Sequence, residues 1–301
     1  MPTEHGRPTT AGHPTQTPSG TTPSPASSVL VDVSGLSHPG KVRPRNEDHF
    51  LVMRIGRYLE KVITSLPPEA MEARTDEVGY VMVVADGMGG HAGGEQASRM
   101  AITGLVKLAL DRPDWIFRMD KAVAADVRQR SKKRVQDLHT LLLNQGEQDR
   151  DLQGMGTTLT IVRNLGRQLH IVHVGDSRAY LFRDGRLHHL TRDHTYVQLL
   201  IDSGQLSKED AAGFSGRHIL VNALGGFNEE VEVDLDQIAL SSGDRILMCS
   251  DGLTDMVDDD TIRQVLVERQ ESQKACQRLI DLALERGGKD NITVVVASYT
   301  F

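Results

Sequence analysis

Five carboxylates in this 301-residue chain stand where an apolar, strand-like run meets a tight turn. Asp48 closes Asn46-Glu47-Asp48, Asp86 follows Val81-Met82-Val83-Val84-Ala85, and Asp176 follows Ile171-Val172-His173-Val174-Gly175. Asp251 follows Ile246-Leu247-Met248-Cys249-Ser250, and Asp290 stands just before Ile292-Thr293-Val294-Val295-Val296. Strands that deliver acids to a single point create repulsion there unless cations sit among the oxygens. The pattern predicts an oxygen-liganded site for more than one metal ion.

The run Asp86-Gly87-Met88-Gly89-Gly90-His91-Ala92-Gly93-Gly94-Glu95 lets the backbone pass close to a bound group before a helix opens. Its spacing is not that of a nucleotide phosphate loop, and the lysine such a loop needs is absent. An acid in the turn favours a cation over an anion. Ser250-Asp251-Gly252-Leu253-Thr254-Asp255 repeats the design. Taken singly, either could be an ordinary turn in which Asp and Gly satisfy backbone geometry; Gly175-Asp176-Ser177 and Lys289-Asp290-Asn291 make coincidence the harder explanation.

The elements that must position these acids are legible in the periodicity. Strand-like runs fall at 30–33, 50–55, 80–85, 158–162, 170–174, 179–182, 231–238, 245–250 and 292–299. Apolar spacing for one helical face marks 95–110, 120–143 and 272–286, the last stopped by Gly287-Gly288. Strands, a helix pair, more strands, then a helix and a final strand suggest a layered α+β domain, without the regular alternation of a parallel sheet. Arg183-Asp184-Gly185-Arg186 reads as a hairpin turn. The stretch 195–226 is poor in strand pattern and reads as a small lid. Residues 1–28, rich in Pro, Thr, Ser and Gly, are expected to be disordered, and 29–301 to form the folded domain. Between Arg54 and Gly79, the residues Leu59, Val62, Ile63 and Leu66 show helical spacing, predicting a packed surface helix or a partner-docking element.

A formal net charge of −7 argues against nucleic acid or an anionic membrane surface as partner. Two cysteines, Cys249 and Cys276, give neither a disulfide framework nor a cysteine-based zinc site, and a reducing cytoplasm is the simplest compartment. No apolar run approaches the roughly 20 residues that span a bilayer.

Seven segments together resemble a known family. Arg43-Pro44-Arg45-Asn46-Glu47-Asp48, Asp86-Gly87-Met88-Gly89-Gly90-His91, Gly154-Met155-Gly156-Thr157-Thr158 and Val174-Gly175-Asp176-Ser177-Arg178 come first. Leu190-Thr191-Arg192-Asp193-His194, Ser250-Asp251-Gly252 and Asp290-Asn291 complete the set. Their order is similar to that in metal-dependent serine/threonine protein phosphatases of type 2C, in particular the compact bacterial branch. The resemblance implies a four-layer α/β/β/α sandwich of two antiparallel sheets with a binuclear Mn²⁺ or Mg²⁺ centre at one edge. It implies that Asp86 bridges both ions, that the Gly87 carbonyl completes one shell, and that Asp251 and Asp290 ligate the other. Asp48 would act from the first motif with Glu47 beside it, Asp176 with Asp251 would form a looser third metal position, and Arg43 would grip the substrate phosphate. The implied reaction is hydrolysis of phosphoserine and phosphothreonine by direct attack of water or hydroxide held at the two ions. The implied partners are phosphorylated proteins, whether kinase substrates or kinases, met by a monomer.

Two departures from the family pattern stand out. Met88 occupies the position where many members outside the bacterial branch carry a histidine, which leaves His91 as candidate general acid and His194 as a structural histidine. Phe214-Ser215-Gly216-Arg217-His218 replaces the usual lid sequence, which bears on lid position and substrate preference. Two other functions fit the same residues: a catalytically weak phosphoprotein binder, and a phosphatase acting on a small anti-sigma antagonist.

Overall fold

Successive residues of a strand point to opposite faces, so a strand that is apolar at every position must be covered on both sides. In the central strands Val83 and Val84, Leu247 and Met248, and Val294 and Val295 are all buried. The computed structural model describes residues 29–65, 67, 74–89, 93–111, 121–211 and 213–301. Its order is β1 (Leu30–His38), β2 (Asp48–Glu60), β3 (Arg74–Met88), α1 (Gly93–Asp111), α2 (Lys121–Gln148), β4 (Gly156–Thr157), β5 (Leu159–Leu165), β6 (Gln168–Val174), β7 (Arg178–Arg183) and β8 (Arg186–His189). Then follow α3 (Tyr196–Asp202), α4 (Lys208–Ala211), β9 (Leu224–Gly225), β10 (Asp234–Ala239), β11 (Arg245–Cys249), α5 (Asp251–Thr254), α6 (Asp259–Glu268), α7 (Ser272–Glu285) and β12 (Ile292–Thr300).

Two antiparallel sheets result, as expected for an α+β sandwich. One runs β1-β12-β11-β7-β8; the other runs β10-β6-β5-β3 and continues through β4 and β9, with β2 on β3. Three apolar layers hold them. Met82, Val84, Ile246, Met248 and Val295 fill the space between the sheets. Val81, Val83 and Ala85 face the other way, against Ala97, Leu105 and Leu138 of α1 and α2. Leu247, Cys249 and Val294 face Ile262 of α6 and Leu279 of α7.

The expected strands and long helices are all present, most extended by a few residues. The helix expected in the 54–79 connection is not formed across its described part. β2 instead continues to Glu60 and pairs through Glu60↔Arg74, with Leu59 in the ladder opposite Thr75. Strand pairing wins because β3 offers a partner along the whole length, and Arg74 lies 4.5 Å over the Tyr58 ring. Val62 and Ile63 are exposed, while Leu66 and residues 1–28 lie outside the described residues. The periodicity gave no sign of α6. The Asp184-Gly185 turn takes positive φ at both residues (51° and 74°), the geometry of a tight hairpin. Among the described residues no helix is long and apolar enough to cross a membrane.

Leu247, 0% exposed, and Val62, 91% exposed, make opposite predictions. Leu247→Ala should lower unfolding stability by about 2–5 kcal/mol, and Val62→Ser should change it by less than about 0.5 kcal/mol, both read from urea midpoints.

Candidate metal centre

The sheet connections bring all five strand-end acids to one edge of the sandwich. Asp48 opens β2 and faces Asp86 near the end of β3, as paired residues of one ladder. Asp176 sits in the turn from β6 to β7, Asp251 begins α5 directly after β11, and Asp290 precedes β12. Their charges are felt mutually. The Asp86 carboxyl is pushed well above the usual range by burial, then by Asp48, Asp251, Asp176 and Asp290. Burial likewise raises Asp176, followed by Asp251 and Asp193. Asp48, 4% exposed, is raised to about 7 by burial, against hydrogen bonds from Ser250 and Thr293 that pull it down.

These oxygens fit a hard cation. Ser250 Oγ donates to Asp48 Oδ2 at 2.6 Å, while Asp48 Oδ1 is buried with no hydrogen-bond partner among the described residues. An unpaired carboxylate oxygen facing other carboxylates is costly unless a cation completes it. The backbone beside it is equally constrained: a Cβ on Gly87 would lie 2.1 Å from the Gly94 carbonyl and 2.7 Å from that of Glu47. Only glycine lets the start of α1 and the first motif close on this point.

Several residues that serve this arrangement carried no role in the sequence reading. Asn291 fastens the first motif, accepting from Glu47 N at 2.8 Å and donating to the carbonyls of Pro39 (2.9 Å) and Arg45 (2.8 Å). That clamp holds Arg43 at the rim, where its guanidinium pairs with Asp290 at 2.5 Å. The signal for it was the amide directly after Asp290, which has both a donor and an acceptor to offer a turning backbone. From the 195–226 stretch, His218 lies 3.7 Å from Asp251 and 3.5 Å from Asp255, and Arg217 lies 3.6 Å from Asp255. Ligand atoms of His218, Asp251 and Asp255 lie within 4.8 Å of one another. They line a polar cavity of about 230 Å³ that Asp176 and Thr195 also border. His91 lies outside the described residues.

A two-sheet sandwich with helices on both outer faces thus gathers the acids at one edge. The family model described as Protein phosphatase 2C matches residues 70–284. A serine/threonine protein phosphatase from Mycobacterium tuberculosis, PstP, is 44% identical over 219 residues, covering 72% of this chain and 40% of that protein. The serine/threonine phosphatase stp of Listeria welshimeri is 37% identical over 216 residues, covering 72% of this chain and 83% of its own length. The crystal structure of the PstP catalytic domain in complex with two manganese ions superposes with a TM-score of 0.70 at 36% identity, covering 91% of this chain and all (100%) of that one. The chain belongs to the protein phosphatase 2C family. It spans about 40% of the length of the mycobacterial relative.

Upward carboxyl shifts make the folded, metal-free protein hold more protons than the unfolded chain between 3.8 and about 7, as for Asp48. The stability these carboxyls contribute is therefore full below that window and lost as pH rises through it. In chelator, the urea midpoint should be lower near pH 8 than near pH 5.5, and Asp48→Asn should flatten the difference. A midpoint that rises toward pH 8 in chelator would contradict the charge crowding.

Proposed function

We propose that this chain is a metal-dependent phosphatase that removes phosphate from serine and threonine side chains of proteins. The observation that carries the proposal is the convergence of five strand-end acids on one point with an arginine at the rim. Two Mn²⁺ or Mg²⁺ ions held there would supply hydroxide at neutral pH and neutralise the phosphoryl oxygens. The names of the mycobacterial and listerial relatives, and the two manganese ions of the former's catalytic domain, support this reading.

Within it, Asp86, the Gly87 carbonyl, Asp251 and Asp290 would hold the two ions, Asp48 would act from the first motif through its unpaired oxygen, and Asp176 with Asp251 would form a third, looser position. Arg43, whose planar guanidinium can meet two phosphate oxygens at once, holds the substrate, and its pairing with Asp290 keeps it turned toward the acids. We assign proton donation to the leaving oxygen to His91. No cysteine takes part: Cys249 and Cys276 are buried, and burial pushes both thiols up to about 12. The substrates are phosphorylated proteins, kinases or their targets, met by a monomer in the cytoplasm.

With Mn²⁺ the purified protein should hydrolyse a phosphothreonine peptide and lose that activity in chelator. Asp251→Asn should lower turnover by more than about 100-fold, beyond the 10–100-fold typical of groups one layer behind a metal. Equal turnover after either treatment would refute the reading.

A further inference from the structure

A second cavity lies away from the acids, between the outer face of one sheet and the helix pair. Val81, Ile161 and Val172 of β3, β5 and β6 form one wall, and Leu105 and Ala109 of α1 with Val135 of α2 form the other. Its volume of about 430 Å³ falls within the roughly 300–1,000 Å³ of small-molecule sites. α1 starts beside the metal centre, where Gly94 packs on Gly87, and borders this cavity from Leu105 to Leu110. Gly94 to Val106 is about 18 Å of helix at 1.5 Å per residue. The cavity is therefore a separate place from the acid edge.

The apolar walls carry charge of one sign only. Arg163 and His170 stand two residues along from Ile161 and Val172, on the same face of the sheet, as partners across the β5–β6 ladder, and both border the cavity. Arg54 and Arg134 border it too, and among the described residues no Asp or Glu does. Burial, then the charge of Arg163, lowers His170 to about 4, so its ring is neutral near pH 7 and can hydrogen-bond without adding charge. Its Nε2 is buried with no hydrogen-bond partner among the described residues. Arg134 closes the basic run Arg128, Arg130, Lys132, Lys133 and Arg134 on α2. Asp126 pairs with Arg130 and Asp137 with Lys133, and the run keeps a net positive charge in a chain of net charge −7. A cation on an apolar wall attracts an anion more strongly than it would in water.

We propose that this cavity binds a phosphate monoester of an apolar alcohol, its apolar body between sheet and helices and its phosphate at Arg134 and Arg163. Several guanidiniums against one head group suit a phosphate, which carries more than one negative charge near pH 7, better than a carboxylate. The site stands independently of the reading of the acids as a phosphatase centre.

The test is calorimetric titration of the full chain, in chelator, with decyl phosphate below its micellar concentration. Wild type should show one saturable site, with decanoate and decanol each binding at least about fivefold more weakly. Arg134→Gln and Arg163→Gln should each weaken decyl phosphate about tenfold or more, the loss expected for a hydrogen bond to a charged group. Ala109→Trp, which fills the cavity from its half-buried rim, should abolish binding, and Arg43→Ala should leave it within about twofold. If Arg163→Gln does not fold, Arg134→Gln on the helix keeps the test. No saturable binding to wild type overturns the proposal, as does decanol or decanoate binding as tightly as decyl phosphate. Binding that survives Ala109→Trp overturns it too. Binding that appears only in Trp115→Ala would make the chain's own connection between α1 and α2 the occupant, and would likewise overturn it.

Discussion

The repulsion among acids brought to one edge of the sandwich is the constraint around which the rest is arranged. Asp48 and Asp86 face each other across a ladder, and Asp176, Asp251 and Asp290 close around them. Like charges at this spacing, partly removed from water, are unfavourable for the protein alone. The sandwich opposes that cost with three apolar layers, and its central strands are covered on both faces as a result. A surface loop could not hold the acids against their own repulsion; strand ends backed by Ala85, Val174, Cys249 and Ile292 can.

Geometry around the acids is set by close backbone approach and by amide clamps. Glycines at 87 and 252 leave no room for a side chain, the latter because a Cβ would lie 2.0 Å from the Asn291 carbonyl. Asn291 in turn fastens Pro39 and two residues of the first motif, Arg45 and Glu47, and so fixes where Arg43 stands. The place of the Arg43 guanidinium beside Asp290 thus depends on the neighbouring Asn291 amide. On the Asp176 side, His194 Nδ1 accepts from Gly175 N at 3.1 Å and lies 2.8 Å from Asn222 Nδ2.

The sandwich and the acids were legible because their signals are local. A strand ending in Asp-Gly is visible within six residues, and the alternation of the sheets is visible within each run. The helix expected between Arg54 and Gly79, not formed across the described residues there, shows the limit: its spacing was helical, but β3 offered a long partner that only the fold reveals. The clamps were illegible for a related reason. Asn291 and Glu47 are 244 positions apart, and Asn222 and His194 are 28 apart, so neither pairing leaves a mark in any window of sequence. His218 came into the site only because the chain between β8 and β10 folds back to within 3.7 Å of Asp251 and 3.5 Å of Asp255.

Anomalous scattering at the manganese edge from crystals grown with Mn²⁺ addresses the central claim directly. The account predicts two strong peaks on either side of Asp86, roughly 3.5–4 Å apart, with Asp251 and Asp290 on one of them. Ions bound away from Asp86, or acids that stay unliganded while the protein is saturated with Mn²⁺, would contradict it.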